Sequence, residues 1–334
     1  MNYIGSKYSL LDFIDCTIKT VVGENLSDLT FCDIFAGTGV VGRYFKTKVR
    51  KVISNDWEYY SYTLNRNYIG NHDEIIDKEK YIEILNQLNG IENGFIYKQY
   101  CLGGGNNRQY FSDENGKKID AARTQIEHWR NSNLITEDLY YFLLCSLIES
   151  ADKCANTASV YGAFLKDLKK TAQKPLVITP ANFQLNHNEH EVYNEDANEL
   201  IKKIEGDILY LDPPYNSRQY GANYHILNTI AEYKPFIPKG KTGLREYKKS
   251  SYCSKALVKE SFEQLIRDSK FKYIILSYNN EGIMPIETIR DIMSKYGLYQ
   301  TFQKKYQRFK ADKPENRIYS TNHTTEFLHI LTKY

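Results

Sequence analysis

Leu29-Thr30-Phe31-Cys32-Asp33-Ile34-Phe35-Ala36-Gly37-Thr38-Gly39-Val40-Val41-Gly42 is the stretch on which the fold turns. Its apolar start reads as a buried strand, its glycines as a tight turn, and Val40 to Phe45 as the opening of a helix. On one side lies the amphipathic stretch from Ser9 to Val21. On the other, Lys51-Val52-Ile53-Ser54-Asn55-Asp56 is a second strand that ends in a carboxylate. Strand, helix and strand in that order predict a parallel sheet. Gly37, Gly39 and Gly42 also satisfy G-x-G-x-x-G, so dinucleotide binding stands beside the binding of a single nucleoside. Against the dinucleotide, Phe35 and Ala36 separate the strand-end acid from the first glycine, and nothing else in the chain suggests hydride chemistry. Asp56 sits about 20 residues on, where a ribose-binding carboxylate belongs in either scheme. Its structural alternative is to cap a helix beginning near Trp57.

A second strand end carries the other half of the chemistry. Gly206-Asp207-Ile208-Leu209-Tyr210-Leu211 is a short apolar run, and Asp212-Pro213-Pro214-Tyr215 follows it directly. In an open α/β sheet ligands bind at the carboxyl ends of strands. Two prolines there fix φ and remove two amide donors. A stiff turn then presents a carboxylate, a free carbonyl and an aromatic ring, a set suited to gripping a planar amino group. Alone, the tetrad is equally a proline-rich turn with a capping aspartate.

The chain has 334 residues, enough for one large α/β domain with an insertion or for two small domains. With 42% hydrophobic and 25% charged residues it has ordinary globular usage. A net charge of +3 is too small to imply nucleic-acid binding, so any such surface must be local. Six scattered cysteines with no CxxC pair predict reduced thiols in a cytoplasmic protein and no structural metal. The N-terminus lacks the pattern of a signal peptide, and no apolar run approaches membrane-spanning length. From about residue 70 to 190 helical stretches (Glu74 to Leu88, Ala121 to Arg130, Glu137 to Asp152) alternate with polar loops, which predicts a mainly helical insertion. Strand signals resume at Asp207 to Leu211, Tyr273 to Tyr278, Tyr299 to Arg308 and Glu326 to Leu331. The last two have no helix between them and predict an antiparallel hairpin at the sheet edge.

Together, D-x-F-A-G-T-G, the N-D after the next strand and D-P-P-Y resemble the S-adenosylmethionine-dependent amino-methyltransferases. Tyr3-Ile4-Gly5-Ser6-Lys7 is similar to the opening motif of the D12-class adenine-N6 DNA methyltransferases. Asp212 to Tyr220, with Asn223-Tyr224-His225 after it, resembles the subgroup found with restriction–modification systems. Residues 70–190 are covered only loosely. The resemblance implies a doubly wound, mostly parallel α/β sheet formed by residues 1–69 and 191–334, with 70–190 inserted for target recognition. It implies S-adenosyl-L-methionine as cofactor, with Phe35, Gly37 and Gly39 against it and Asp56 on its ribose. Tyr3 and Lys7 would reach its methionine carboxylate, Asp33 would orient the loop or the methionine amine, and Asp196 would accept from its adenine amino group. Lys7 as a surface lysine and Asp196 as a helix cap are the structural alternatives. Tyr3 and Ser6 depart from the residues frequent at those positions in the class.

The reaction so implied is methyl transfer to N6 of an adenine flipped out of duplex DNA, with Asp212 and the Pro213 carbonyl holding the amine and Tyr215 stacking on the base. Asp at the first tetrad position favours adenine N6 over cytosine N4. For the DNA surface, residues 234–255 interleave aromatic rings with Lys234, Lys239, Lys241, Arg245, Lys248 and Lys249, and Arg218 follows the tetrad. Further basic runs are Lys166 to Lys174 and Lys304 to Lys310. A companion restriction endonuclease is the expected partner in the cell. Competing assignments are an RNA or protein amide N-methyltransferase, and a non-catalytic, nucleotide-responsive DNA-binding protein.

Overall fold

The computed structural model describes residues 5–307 and 323–334. Its strands are β1 Thr30–Asp33, β2 Lys51–Asn55, β3 Glu191–Tyr193, β4 Glu205–Leu211, β5 Lys270–Asn279, β6 Gly297–Gln307 and β7 His323–Lys333. The α-helices are α1 Leu11–Val22, α2 Val40–Phe45, α3 Tyr59–Asn65, α4 Lys78–Gln87, α5 Phe95–Tyr100, α6 Asp113–Asn131, α7 Glu137–Cys154, α8 Ala197–Leu200, α9 Tyr220–Asn223, α10 His225–Glu232, α11 Val258–Asp268 and α12 Ile286–Met293. None of the described helices is long and apolar enough to cross a membrane.

All seven strands form one sheet in the order β3-β2-β1-β4-β5-β7-β6. The first five run parallel, and β7 is antiparallel to both β5 and β6. The mostly parallel sheet and its antiparallel edge hairpin therefore match the expectation. From β1 the chain first builds outward through β2 to β3, then returns to place β4 on the other side of β1. This reversal between β1 and β4 is a topological switch point, where a crevice opens at the strand ends. Register puts Asp33 opposite Tyr210, so Asp33 and Asp212 leave neighbouring strands at that crevice.

Contacts divide the chain into two units. The sheet unit comprises Gly5–Trp57, Asn186–Gln219 and Lys249–Tyr334, and the helical unit Glu58–Leu185 and Tyr220–Lys248. These bounds differ from the 69/70 and 190/191 expected from sequence. Helix α3 and the π turn after it belong with the helices because Tyr60, Leu64 and Tyr68 bury in the helical core. So do Ile226, Leu227, Ile230 and Ala231 of α10, which brings 220–248 into the same unit.

Inside the helical unit α7 is buried along most of its length, with Thr136 accepting from the Leu139 amide at its start. Helix α6 begins at Asp113, well before the expected Ala121. Asn115-Gly116 reads as a turn, but Gly116 is helical and lies where a Cβ would meet Cys101 Sγ at 2.1 Å. Asn115 bonds the chain at Lys174 and Leu176. The irregular segment 155–190 is anchored similarly, with the amides of Ile178, Thr179 and Ala181 donating to Asn86, Ser150 and Ser146. Those side chains satisfy backbone groups that no ladder serves.

Asp120, fully buried on α6, accepts from the amides of Ile96 (2.9 Å) and Tyr97 (2.7 Å) and from the Tyr233 hydroxyl (2.6 Å). Burial raises its pKa even against these donors. Asp120→Ala should orphan one buried and two part-buried donors and lower the unfolding free energy by about 3 kcal/mol in a urea titration. A loss below ~1 kcal/mol would contradict this account of the helical core.

Candidate active site

The glycine loop is fixed from below by the sheet. Ala36 donates its amide to the Asn55 carbonyl (2.9 Å), and Gly39 donates to Ala36 (2.8 Å). Gly37 and Gly39 take φ of 53° and 75°, which side chains rarely adopt. Buried Asn55 ties the ends of β1 and β3 together, its amide donating to Ile34 and Glu195 and its oxygen accepting from Glu195. Asp56 does not cap a helix, since α3 starts only at Tyr59 with Glu58 at the cap. Its carboxylate accepts from the Gly37 amide at 2.8 Å, which places it against the loop.

Asp33 lies at the end of β1 and is 1% exposed. Burial, with Asp212 and Asp56 nearby, pushes its pKa well above the usual carboxylate range, although the amides of Gly42 and Phe35 pull the other way. Its Oδ1 is buried without a hydrogen-bond partner among the described residues. Beside the loop, Phe35 meets Tyr252 edge-on at 4.9 Å. Tyr252 donates its hydroxyl to Asn198 (2.8 Å), and burial, then Asp196, pushes its pKa up. Asp196 itself caps α8, accepting from the Asn198 amide at 2.9 Å. The capping alternative is thus what its Oδ1 does. Tyr252 was expected among the basic residues; here it is a buried wall next to Phe35.

At the end of β4, Asp212 meets Lys7. The lysine ammonium is buried and lies 3.1 Å from Asp212 Oδ1 and 2.8 Å from Glu326 Oε1. Gly5, with φ of 82°, turns the chain toward this position. Burial alone would lower the Lys7 pKa, but the two carboxylates outweigh it and hold the group well above its ordinary value. Burial raises Asp212 to about 6, with Lys7 opposing and Glu326 adding to the rise. Pro213 is buried, the Tyr215 carbonyl accepts from the Ile283 amide (3.0 Å), and Lys7 stands 5.9 Å from the Tyr215 ring centroid. No contact to Asp212 Oδ2 is found among the described residues. Lys7 is therefore neither a surface lysine nor engaged solely with a ligand.

Glu326 was not foreseen as a site residue. It is fully buried on β7 and accepts from the Ser277 hydroxyl as well as from Lys7. An acid inside the apolar strand pattern Phe327-Leu328-His329-Ile330 was the available signal.

The expected DNA-binding residues do not all look outward. Arg245 pairs with Glu232 at 2.8 Å and lies 5.7 Å from the Phe236 ring, so it holds the helical unit together. Lys239 and Lys241 flank a tight turn closed by paired bonds between Lys239 and Leu244. Arg108, not singled out by sequence, donates to the Lys241 and Gly240 carbonyls, and Tyr100 to Gly243. Lys239 is exposed but paired with Glu246 (2.8 Å). Lys241, Lys248, Lys249 and Arg218 are exposed; Arg218 donates its amide to Asn216. Lys239, Lys241, Arg245 and Lys248 belong to the helical unit, Arg218 and Lys249 to the sheet unit. Tyr3, Arg308 and Lys310 lie outside the described residues.

Lys7→Met should strand the buried Glu326 carboxylate and the half-buried Asp212. Because the Lys7 pKa is raised, its pairing stabilises the fold below its ordinary value of 10.5 for as long as its partners are ionised. The substitution should cost about 3–5 kcal/mol at pH 8 by urea unfolding. The cost should shrink below about pH 6 as Asp212 takes up its proton; a cost independent of pH would contradict the pairing.

The model of the D12 class N6 adenine-specific DNA methyltransferases matches residues 3–292. The chain is 62% identical to the type II methyltransferase M.NlaIII of Neisseria lactamica, over 100% of this chain and 99% of that protein. It is 39% identical to M.CviAII of Paramecium bursaria Chlorella virus 1, over 93% of each. It is 40% identical to M.FokI of Planomicrobium okeanokoites, over 93% of this chain and 50% of that longer protein. Spacing, strand-end acids and these likenesses agree, and the chain belongs to the D12 class of N6 adenine-specific DNA methyltransferases.

Proposed function

We propose that this enzyme takes a methyl group from S-adenosyl-L-methionine to N6 of an adenine flipped from a specific duplex site, as the modification enzyme of a restriction–modification system. The observation that carries the reading is the pairing of two strand ends across the switch point. One offers a buried Asp33 oxygen with no hydrogen-bond partner among the described residues, beside a glycine loop, and the other offers Asp212, whose Oδ2 has no hydrogen bond or ion pair among them. The relatives' names as type II methyltransferases support the setting, in which a companion endonuclease cuts the same site unmethylated.

The residues fit the cofactor. An orphaned carboxyl oxygen in a buried position suits an ammonium group, which would also restore its ionised form. Asp56 would accept from the ribose hydroxyls, and Phe35 and Tyr252 would wall the adenine ring, with Asp196 at its amino group. When bound, the cofactor supplies an electrophilic methyl on a sulfonium. Lys7, held between two protein carboxylates, would act chiefly through Asp212 and less through the cofactor's carboxylate.

On the acceptor side, the N6 lone pair is delocalised into the base and is a poor nucleophile. Asp212 Oδ2 and the Pro213 carbonyl would accept its two hydrogens and localise the lone pair toward the methyl group. Tyr215 would stack on the extruded base, whose N6 is out of reach inside a duplex. Positioning and electrostatics then supply the rate. The exposed Arg218, Lys241, Lys248 and Lys249 would hold phosphates, and the helical unit would read the sequence.

Purified protein with labelled cofactor should yield N6-methyladenine in duplex DNA; label found only in RNA or protein would contradict the reading. Asp212→Asn should lower kcat by about 10²–10³-fold with cofactor affinity kept. Asp56→Ala should mainly weaken cofactor binding. Since Asp212 must be ionised to accept from N6 and burial pushes its pKa up to about 6, kcat/KM for DNA should fall tenfold per pH unit below that value. A flat profile to pH 5 would count against Asp212 as the acceptor.

A further inference from the structure

The sheet carries a charge that the fold does not ask for. Glu326 is 0% exposed and sits mid-sheet on β7, opposite Asn279 of β5. Burying a carboxylate there is costly, and an apolar residue would satisfy the strand better. Lys7 and Asp212 would be electrically complete as a pair. With Glu326, two carboxylates share that one ammonium. Both Lys7 and the Ser277 hydroxyl donate to the same oxygen, Oε1, which fixes the Glu326 carboxylate in orientation.

Geometry gives that sharing a direction. Lys7 takes Oδ1 of Asp212 and Oε1 of Glu326, so the ammonium is held between the two carboxylates. Asp212 thereby has one oxygen pinned and one left uncontacted among the described residues. Methyl transfer to an amine creates positive charge on nitrogen, and a group next to it gains most by being negative at that moment. We propose that Glu326 is a positioning residue for the reaction: it holds Lys7 on one oxygen of Asp212, turns the other toward the substrate amine, and adds the negative charge that the alkylated amine calls for. The inference rests on Asp212 being the acceptor of the amine.

The groups facing Asp212 are Lys7 before α1, Glu326 on β7, Tyr210 on β4 and Asp33 on β1, with the Tyr215 ring beside them. Of these, Glu326 is the carboxylate that shares the ammonium. Its charge raises the pKa of Asp212, so removing that charge must lower it.

Three measurements test this. In the cofactor-free protein, the Asp212 carboxyl followed by ¹³C NMR should titrate near 6 in the wild type and lower in Glu326→Gln. An equal midpoint in the two proteins would overturn the inference. In Glu326→Gln the acid limb of kcat/KM for DNA should move down by about one pH unit, and the kcat plateau should fall about tenfold with the cofactor KM unchanged. Ser277→Ala, which keeps the charge, should leave the limb in place. An unmoved limb in Glu326→Gln, or an equal movement in both variants, overturns the proposal. Undiminished turnover by Asp212→Asn would instead remove the reading beneath it.

Discussion

One buried ammonium organises the sheet unit's active face. Lys7 comes from the segment ahead of α1, Asp212 from the end of β4, and Glu326 from the last strand, and they meet on a single nitrogen. Taking three charges out of water is expensive, and the arrangement persists only because each is held by a partner. That cost also ties the N-terminal segment and the last strand to the turn that begins at Asp212. The turn itself is stiffened by two prolines and by the bond from Ile283 to the Tyr215 carbonyl.

The second organising constraint is repulsion among acids. Asp33, Asp56 and Asp212 crowd the strand ends around the switch point, and burial first, then the two neighbouring acids, raise the Asp33 pKa strongly. Backbone amides relieve part of it: Gly37 donates to Asp56, and Gly42 and Phe35 favour ionised Asp33. What is left is a face whose carboxylates suit cationic and amine groups, as the proposed methyl transfer requires. Stability is given up where chemistry needs it.

Much of this was legible before the structure. Alternation of strand and helix around the glycine loop placed β1, α2 and β2 within a residue or two, and unbroken strand signals at the C-terminal end gave the antiparallel hairpin. Asp212, Asp56 and Asp33 were readable because each closes a strand. Glu326 was not, since its partner Lys7 lies 319 residues away and no local pattern links them. Arg245 misled for the opposite reason: a basic run looks like a phosphate grip until the facing Glu232 is known. The unit boundaries moved because the apolar faces of α3 and α10 find their partners only in three dimensions.

The central claim is that Asp212 presents Oδ2 to the adenine amine while Lys7, backed by Glu326, holds Oδ1. Its most direct test is a crystal structure of the enzyme with duplex substrate and a non-reactive analogue of the cofactor. The account predicts the target adenine extruded, its N6 within hydrogen-bond distance of Asp212 Oδ2, and Lys7 still between Asp212 and Glu326. An N6 held by other groups, or Lys7 withdrawn from both carboxylates onto the cofactor, would contradict it.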